Sequence, residues 1–289
     1  MPGYALLKTN GAAASGLAPT VLLVYLFQIG KKGKWEDHLS PILRTHAFVS
    51  GPLVLPPPYR LVRLRESGDA FNHALGLADA SGAGTLVYVG RFDLAEFAVV
   101  LEPDEPLRRA RRAFYAGMVA LTDALRAYAP PNKPVTIDWP DAIRIDGGLV
   151  GGGRLGWPSA APEDEPPRWL VFGAMIRTVS VTDAEPGIHP LSSALEQEGF
   201  GDAGAVQVTE SFSRHLMVVT DLWQSDGFEA VAREYLGRTA RERQVSRRID
   251  DNGDLLLHRV DTGNTERCEL VKALATPSWF DPQTGGPWP

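Results

Sequence analysis

The sequence predicts an α+β fold with a β-rich tail, because short strands come first, helical stretches follow and a glycine-turned hairpin closes the chain. Strands and helices do not alternate regularly, which argues against a doubly wound parallel sheet. Two stretches carry most of this reading. Residues 106–128 hold one apolar stripe at helical spacing, and residues 135–155 hold short β-like runs folded around Asp146-Gly147-Gly148.

Taken in order, residues 52–65 (PLVLPPPYRLVRLR) read as an extended entry and then a strand. Asp69 is placed to cap a helix over residues 71–80, with Phe71, Ala74, Leu75 and Ala78 on one face and Gly82 and Gly84 ending it. Residues 86–89 and 97–101 form a strand pair around Gly90-Arg91-Phe92-Asp93. Pro106 opens the longest helix, striped by Ala110, Phe114, Gly117, Met118, Leu121, Leu125 and Tyr128 and stopped at Pro130-Pro131. Arg108, Arg109, Arg111 and Arg112 at its start read as a solvated face rather than a phosphate clamp, near a helix end whose dipole does not favour cations.

Residues 135–137, 143–145, 149–155 and 169–181 are β-like, with a Pro- and acid-rich loop at 158–167 and a second loop at 182–191. Helical spacing returns over 208–223, where Phe212, His215, Leu216, Val219 and Leu222 share a face, and over 228–236. Residues 241–248 are a basic link. Asp250-Asp251-Asn252-Gly253 then turns a hairpin. Three regions are expected: an extension over 1–50, a main domain over 51–240 and a small β-containing domain over 241–289.

The composition, 289 residues with a net charge of −6 and 44% hydrophobic content, is that of a globular chain with one large core. No clustered cationic surface points to nucleic acid. The apolar run at 21–29 is about half the length of a bilayer span, so no transmembrane segment is expected. A poorly ordered extension is favoured over interfacial attachment through Lys31, Lys32 and Lys34. The lone Cys268 excludes an intramolecular disulfide and fits a cytoplasmic location. The six histidines lack ligand spacing, so no metal site is expected. His215 reads as a core histidine.

In the stretch VTIDWPDAIRIDGGLVGGGRLGWP, Trp139-Pro140 can form a flat wall at a strand end, and the glycines let backbone approach a ligand. Trp139-Pro140, Asp146-Gly147 and Val150-Gly151-Gly152 resemble the central motif of the biotin and lipoate protein ligases. Residues 84–89 and 98–103 are similar to the strands flanking that family's nucleotide loop, and residues 172–176 to the strand lining its acyl pocket. Residues 227–236 are similar to its last helix. The resemblance covers about residues 52–238 and implies a class II synthetase-like fold. It further implies a small acyl ligand such as biotin or lipoate, a biotinyl or lipoyl carrier domain as partner, and a homodimer paired through sheet edges. The ligand-binding residues it implies are Arg91, Trp139, Pro140, Asp141, Gly151, Gly152, Gly153, Gly173 and Ala174.

The chain departs from that family where phosphate chemistry needs cations. Leu149 stands for the hairpin lysine, Asp138 for the lysine before Trp139, and Asp141-Ala142 for Asn-Asp. Only residues 90–97 stand where the family has a Gly-Arg-Gly-Arg loop. These losses argue against ATP and magnesium, and no catalytic residue is assigned. Three readings follow: a diverged ligase or acyltransferase drawing cations from residues 108–112 or Arg154, a noncatalytic binder that docks a carrier protein, and, weakest, a hydrolase or metal enzyme using Asp138, Asp141 and Asp146. In the weakest, Asp138 and Asp141 would face each other and act as an acid and base pair.

Overall fold

The computed structural model describes residues 52–66, 68–180, 191–201, 203–240 and 242–289. The extension over residues 1–50 and most of the loop expected at 182–191 lie outside the described residues. The described residues from 52 to 289 belong to one compact unit.

Strand β1 (Arg60–Leu64) leads to helix α1 (Ala70–Ser81), whose start is set by Asp69: its carboxylate accepts from the Asn72 backbone N–H at 2.9 Å. Strands β2 (Thr85–Val89) and β3 (Leu94–Leu101) follow as an antiparallel pair joined by four residues. The expected long helix is divided into α2 (Leu107–Ala110) and α3 (Ala113–Arg126). The break falls in the arginine cluster, where the backbone takes tighter i to i−3 bonds: Arg112 donates to Arg109 and Phe114 to Arg111.

The solvated-face reading of that cluster is corrected for two of its members. Arg111 and Arg112 are only 6% and 3% exposed. Arg111 pairs with Glu163 and lies over Trp157, while Arg112 pairs with Glu105 and lies over Phe228. Burial is tolerated because carboxylates and ring faces replace the lost water. Arg108 and Arg109 are exposed.

Strands β4 (Val135–Asp138), β5 (Ala142–Ile145), β6 (Gly148–Gly156) and β7 (Leu170–Arg177) complete a seven-stranded sheet in the order β1-β2-β3-β7-β6-β5-β4. Only β1 and β2 run parallel within it. Period-two alternation gives the sheet two buried faces. Phe97, Val99, Phe172 and Ile176 point into the main core under α3 and under α4 (Ala205–Asp226) and α5 (Phe228–Gly237). Val87, Val89, Ala98, Val100 and Val171 point to the opposite, outer face, which α1 covers with Ala70, Ala74 and Ala78.

The C-terminal part begins with the antiparallel strands β8 (Val245–Ile249), β9 (Leu255–Arg259) and β10 (Thr265–Cys268). The hairpin expected at Asp250–Gly253 joins the first two, with Gly253 at φ 90°. A short helix α6 (Leu270–Leu274) follows, then a hairpin of β11 (Phe280–Asp281) and β12 (Gly286–Pro287) that lies against β6 and β7. This last hairpin is absent from the sequence expectations.

Candidate functional site on the outer face of the sheet

Between β4 and β5, Trp139 and Pro140 are joined by a cis peptide bond and tied to the helical layer. The Trp139 indole N–H donates to the Tyr115 hydroxyl at 3.1 Å, and that hydroxyl donates to the Gly253 carbonyl at 2.6 Å. The Tyr235 hydroxyl donates to the Pro140 carbonyl at 2.7 Å. Burial pushes both phenols well above their ordinary range, so they remain neutral donors. This network locks the strand end from the core side and joins the small sheet to α3.

Asp141 turns the other way. It is 0% exposed, and its carboxylate accepts from the Ser278 hydroxyl at 2.6 Å and the Ser278 backbone N–H at 3.0 Å. Burial pushes its pKa up to about 6, and the two Ser278 bonds oppose that rise. No cation touches this carboxylate in the described structure; the groups that satisfy it belong to the C-terminal tail.

Next to Ser278, Trp279 is fully buried on the outer face among Leu94, Ala142, Leu149 and Met175, with Phe280 at its edge. Its indole N–H donates to the Gly153 carbonyl at 3.1 Å. Glycine is required beneath it. A Cβ on Gly152 would sit 2.3 Å from the indole Cδ1 and 2.0 Å from the Asp141 carbonyl oxygen. Gly151 lies beside a register irregularity in the β5–β6 pairing, and at φ 148° its Cβ would meet the Met175 carbonyl oxygen at 1.9 Å.

The rim carries charge. Arg154, on the same face as Gly152, lies between the rings of Phe71 and Phe280, with its carbon at 4.6 Å from each centroid, and reaches Asp69 at 3.8 Å. Glu96 accepts from the Ala70 N–H at 2.8 Å at the start of α1, and burial raises its pKa. Arg91 is engaged by Asp93 at 2.7 Å and lies 4.0 Å from Glu96. Arg177 donates to the Pro287 and Trp288 carbonyls at 2.7 and 3.0 Å.

Of the residues singled out from sequence, the fold thus gathers Asp141, Gly151, Gly152 and the Gly153 carbonyl at one place on the outer face. Gly173 lies on that face beneath Phe71, and a Cβ there would meet the Phe71 ring at 2.5 Å. Ala174 belongs to the main core, on the opposite side of its strand. Trp139 and Pro140 back the site from the helical layer, and Arg91 stands at the rim. Ser278, Trp279, Glu96, Arg177 and Tyr115 were not foreseen; their only sequence signal is the Trp279-Phe280 pair between Pro277 and Pro282.

The aspartates do not form the acid and base pair considered above. Asp138 pairs with Arg144, Asp146 with Lys133, and Asp141 with Ser278. Among the described residues no group of three or more His, Cys, Asp or Glu is placed to hold a metal ion. His215 is half-buried, with Nδ1 2.8 Å from the Ser211 carbonyl.

Among the described residues, the cations considered for phosphate already have partners. Arg91, Arg144 and Arg154 are engaged by aspartates, Arg177 holds the tail, and Arg111 and Arg112 are buried with Glu163 and Glu105. A buried carboxylate at Asp141 would repel phosphate at close range.

Comparison with known proteins bears on the whole of this architecture. A model of the biotin/lipoate A/B protein ligase family matches residues 55–237. A biotin protein ligase-like protein of unknown function from a Silicibacter species is 27% identical, with a TM-score of 0.67 over 78% of this chain and 100% of that one. The biotin protein ligase of Aquifex aeolicus shares the fold at 12% identity, with a TM-score of 0.57 over 73% of this chain and 95% of that one. Its complex with biotin and ATP gives 0.53 over 72% and 94%. No curated protein sequence matches the chain. Among the described residues no helix is long and apolar enough to cross a membrane.

Proposed function

The chain belongs to the biotin/lipoate A/B protein ligase family, and from that premise we propose that it binds a small acyl or cofactor-like ligand of the biotin or lipoate kind without ordinary ATP-dependent ligation. The site is the outer face of β5, β6 and β7, floored by Ala142, Leu149, Gly152 and Met175 and reached by Asp141 and the Gly153 carbonyl.

The observation that carries this reading is the way the face receives Trp279. A flat bicyclic body lies on glycine and aliphatic side chains, with one ring N–H satisfied by a backbone carbonyl. A ligand pocket of mostly apolar walls with a few fixed polar groups has this character. Asp141 and the Gly153 carbonyl read donors, while Arg177 can meet a carboxylate. A bicyclic acid with ring N–H groups therefore finds a partner for each of its polar ends.

Among the described residues at this face, Arg91 and Arg154 are paired with aspartates and only Arg177 is left without a carboxylate partner; one guanidinium suffices for a ligand carboxylate but is few for a triphosphate, which supports binding over acyl adenylate formation. Transfer to a carrier lysine is what a direct test must detect. Intact-mass measurement of a biotinyl or lipoyl acceptor domain incubated with this protein, magnesium ATP and biotin, lipoate or octanoate in turn is expected to show no added mass, while a functional ligase run in parallel modifies the domain. A mass increase matching one acid overturns the noncatalytic reading. Calorimetric titration of the same acids tests the binding itself.

A further inference from the structure

We propose that the C-terminal tail over residues 278–288 is an intramolecular occupant of the ligand face, lifting as a unit when ligand binds, so that tail and ligand compete. The proposal rests on the reading that an acyl ligand uses this face.

Three independent observations support it. The first is the separateness of the tail's apolar seat. Trp279 packs in a small cluster with Leu94, Ala142, Leu149 and Met175, distinct from the main core under α3 and α4. The floor strands are held by their own ladder, β5 to β6 to β7, and need no tail residue to pair. Lifting the tail therefore uncovers a preformed floor without opening the core, as local opening requires.

The second is the identity of the anchors. The tail is fastened by Ser278 on Asp141, by the Trp279 indole on the Gly153 carbonyl, and by the Pro287 and Trp288 carbonyls on Arg177. The protein side of these contacts offers a carboxylate, a backbone acceptor and a guanidinium. Each can exchange a tail group for a ligand group of the same polarity. Tail carbonyls on Arg177 occupy the place of a ligand carboxylate, and the indole N–H occupies the place of a ligand ring N–H.

The third is the path of release. Ala275 and Thr276, which join α6 to the tail, are exposed, and so are residues 282–285 at the β11–β12 turn. The tail joins α6 through solvent-facing residues and turns at a solvent-facing loop, so both the link and the turn can move when it lifts. Arg154 lies between Phe71 of α1 and Phe280 of the tail, so the uncovered site keeps one aromatic wall when the other leaves.

While the tail is seated, ligand sees only the fraction of molecules in which it has lifted, and apparent affinity is reduced by that fraction. Removing the indole removes much of the competition.

The test uses the full chain in two arms. In hydrogen exchange, the Ser278 amide of the unmodified protein, which donates to Asp141 across the contact, is expected to exchange at least ~100-fold faster than the central amides of β3 and β7, because it is freed whenever the tail lifts. In calorimetry, indole is expected to bind Trp279→Ala and not the parent, and at least one of biotin, lipoate and octanoate to bind the variant about tenfold tighter or better. Trp279→Phe serves if the alanine variant does not fold, with the same direction expected for the acids. A Ser278 amide that exchanges only at the core rate, or an acid that binds parent and variant equally, overturns the proposal. Fast tail exchange with indole bound and no acid bound by either protein supports tail release and overturns the acyl-ligand reading alone.

Discussion

Asp141 allows the tail contact to be measured through pH. Its carboxyl is fully buried and carries no partner cation among the described residues, and burial raises its pKa from 3.8 to about 6. The native state therefore holds this proton across about pH 4 to 6 while the unfolded chain has released it. Stability rises with pH wherever the unfolded state binds more protons; here the native state binds more, so this group's contribution falls as pH rises through that window. The full difference is about 3 kcal/mol. Asn at 141 keeps the shape and cannot ionise. Urea unfolding of the parent and of Asp141→Asn at intervals from pH 4 to 7.5 is expected to give stabilities whose difference moves against the parent by about 3 kcal/mol, most of it between pH 4 and 6. Other titrating groups cancel in that difference. Two curves that stay parallel within ~0.5 kcal/mol would refute a buried, ionisable Asp141. Ser278→Ala removes a donor that stabilises the anion and is expected to carry the fall to higher pH.

Further outcomes follow from the same contacts. Gly152→Ala places a methyl against the Asp141 carbonyl and the Trp279 ring; it is expected to cost about 1–3 kcal/mol in urea unfolding and to speed exchange at the Ser278 amide. Tyr115→Phe strips a donor from the Gly253 carbonyl and an acceptor from the Trp139 indole; a loss of about 1–3 kcal/mol is expected, with acid binding unchanged. Leu149→Lys puts an ammonium where the family resemblance implies a lysine, in the apolar seat of Trp279; it is expected to loosen the tail and to raise affinity for magnesium ATP about tenfold in calorimetry. Unchanged affinity would count against the proposal that the leucine at this position weakens nucleotide binding.

Local pattern made most of the main domain legible. Asp69 at the head of α1, the stripe of α3 and the glycine turns of both hairpins each follow from chemistry within a few residues, and the structure places these elements where that chemistry puts them. The burial of Arg111 at the break between α2 and α3 was not legible, because its partner Glu163 meets it across the fold from a distant loop. Charge runs read as solvated unless their distant partners are known.

The site was legible in part. Glycine at 152 signalled a close approach, and Asp141 was singled out for its place after Trp139-Pro140. What approaches Gly152 is Trp279, more than a hundred residues away, in a stretch whose short strands carry almost no periodic signal. Trp139 was expected as a wall of the pocket, yet Tyr115 fixes its indole N–H to the helical layer; no spacing in the sequence says to which side of a strand end a side chain turns.

The competition between tail and ligand is tested most directly by fluorine NMR of the full chain labelled with 5-fluorotryptophan, with the Trp279 resonance assigned from Trp279→Phe. Titration with biotin, lipoate or octanoate is expected to move that resonance from its buried position to a solvent-exposed one in step with saturation. An acid that saturates the protein while the Trp279 line stays in place would contradict a shared site.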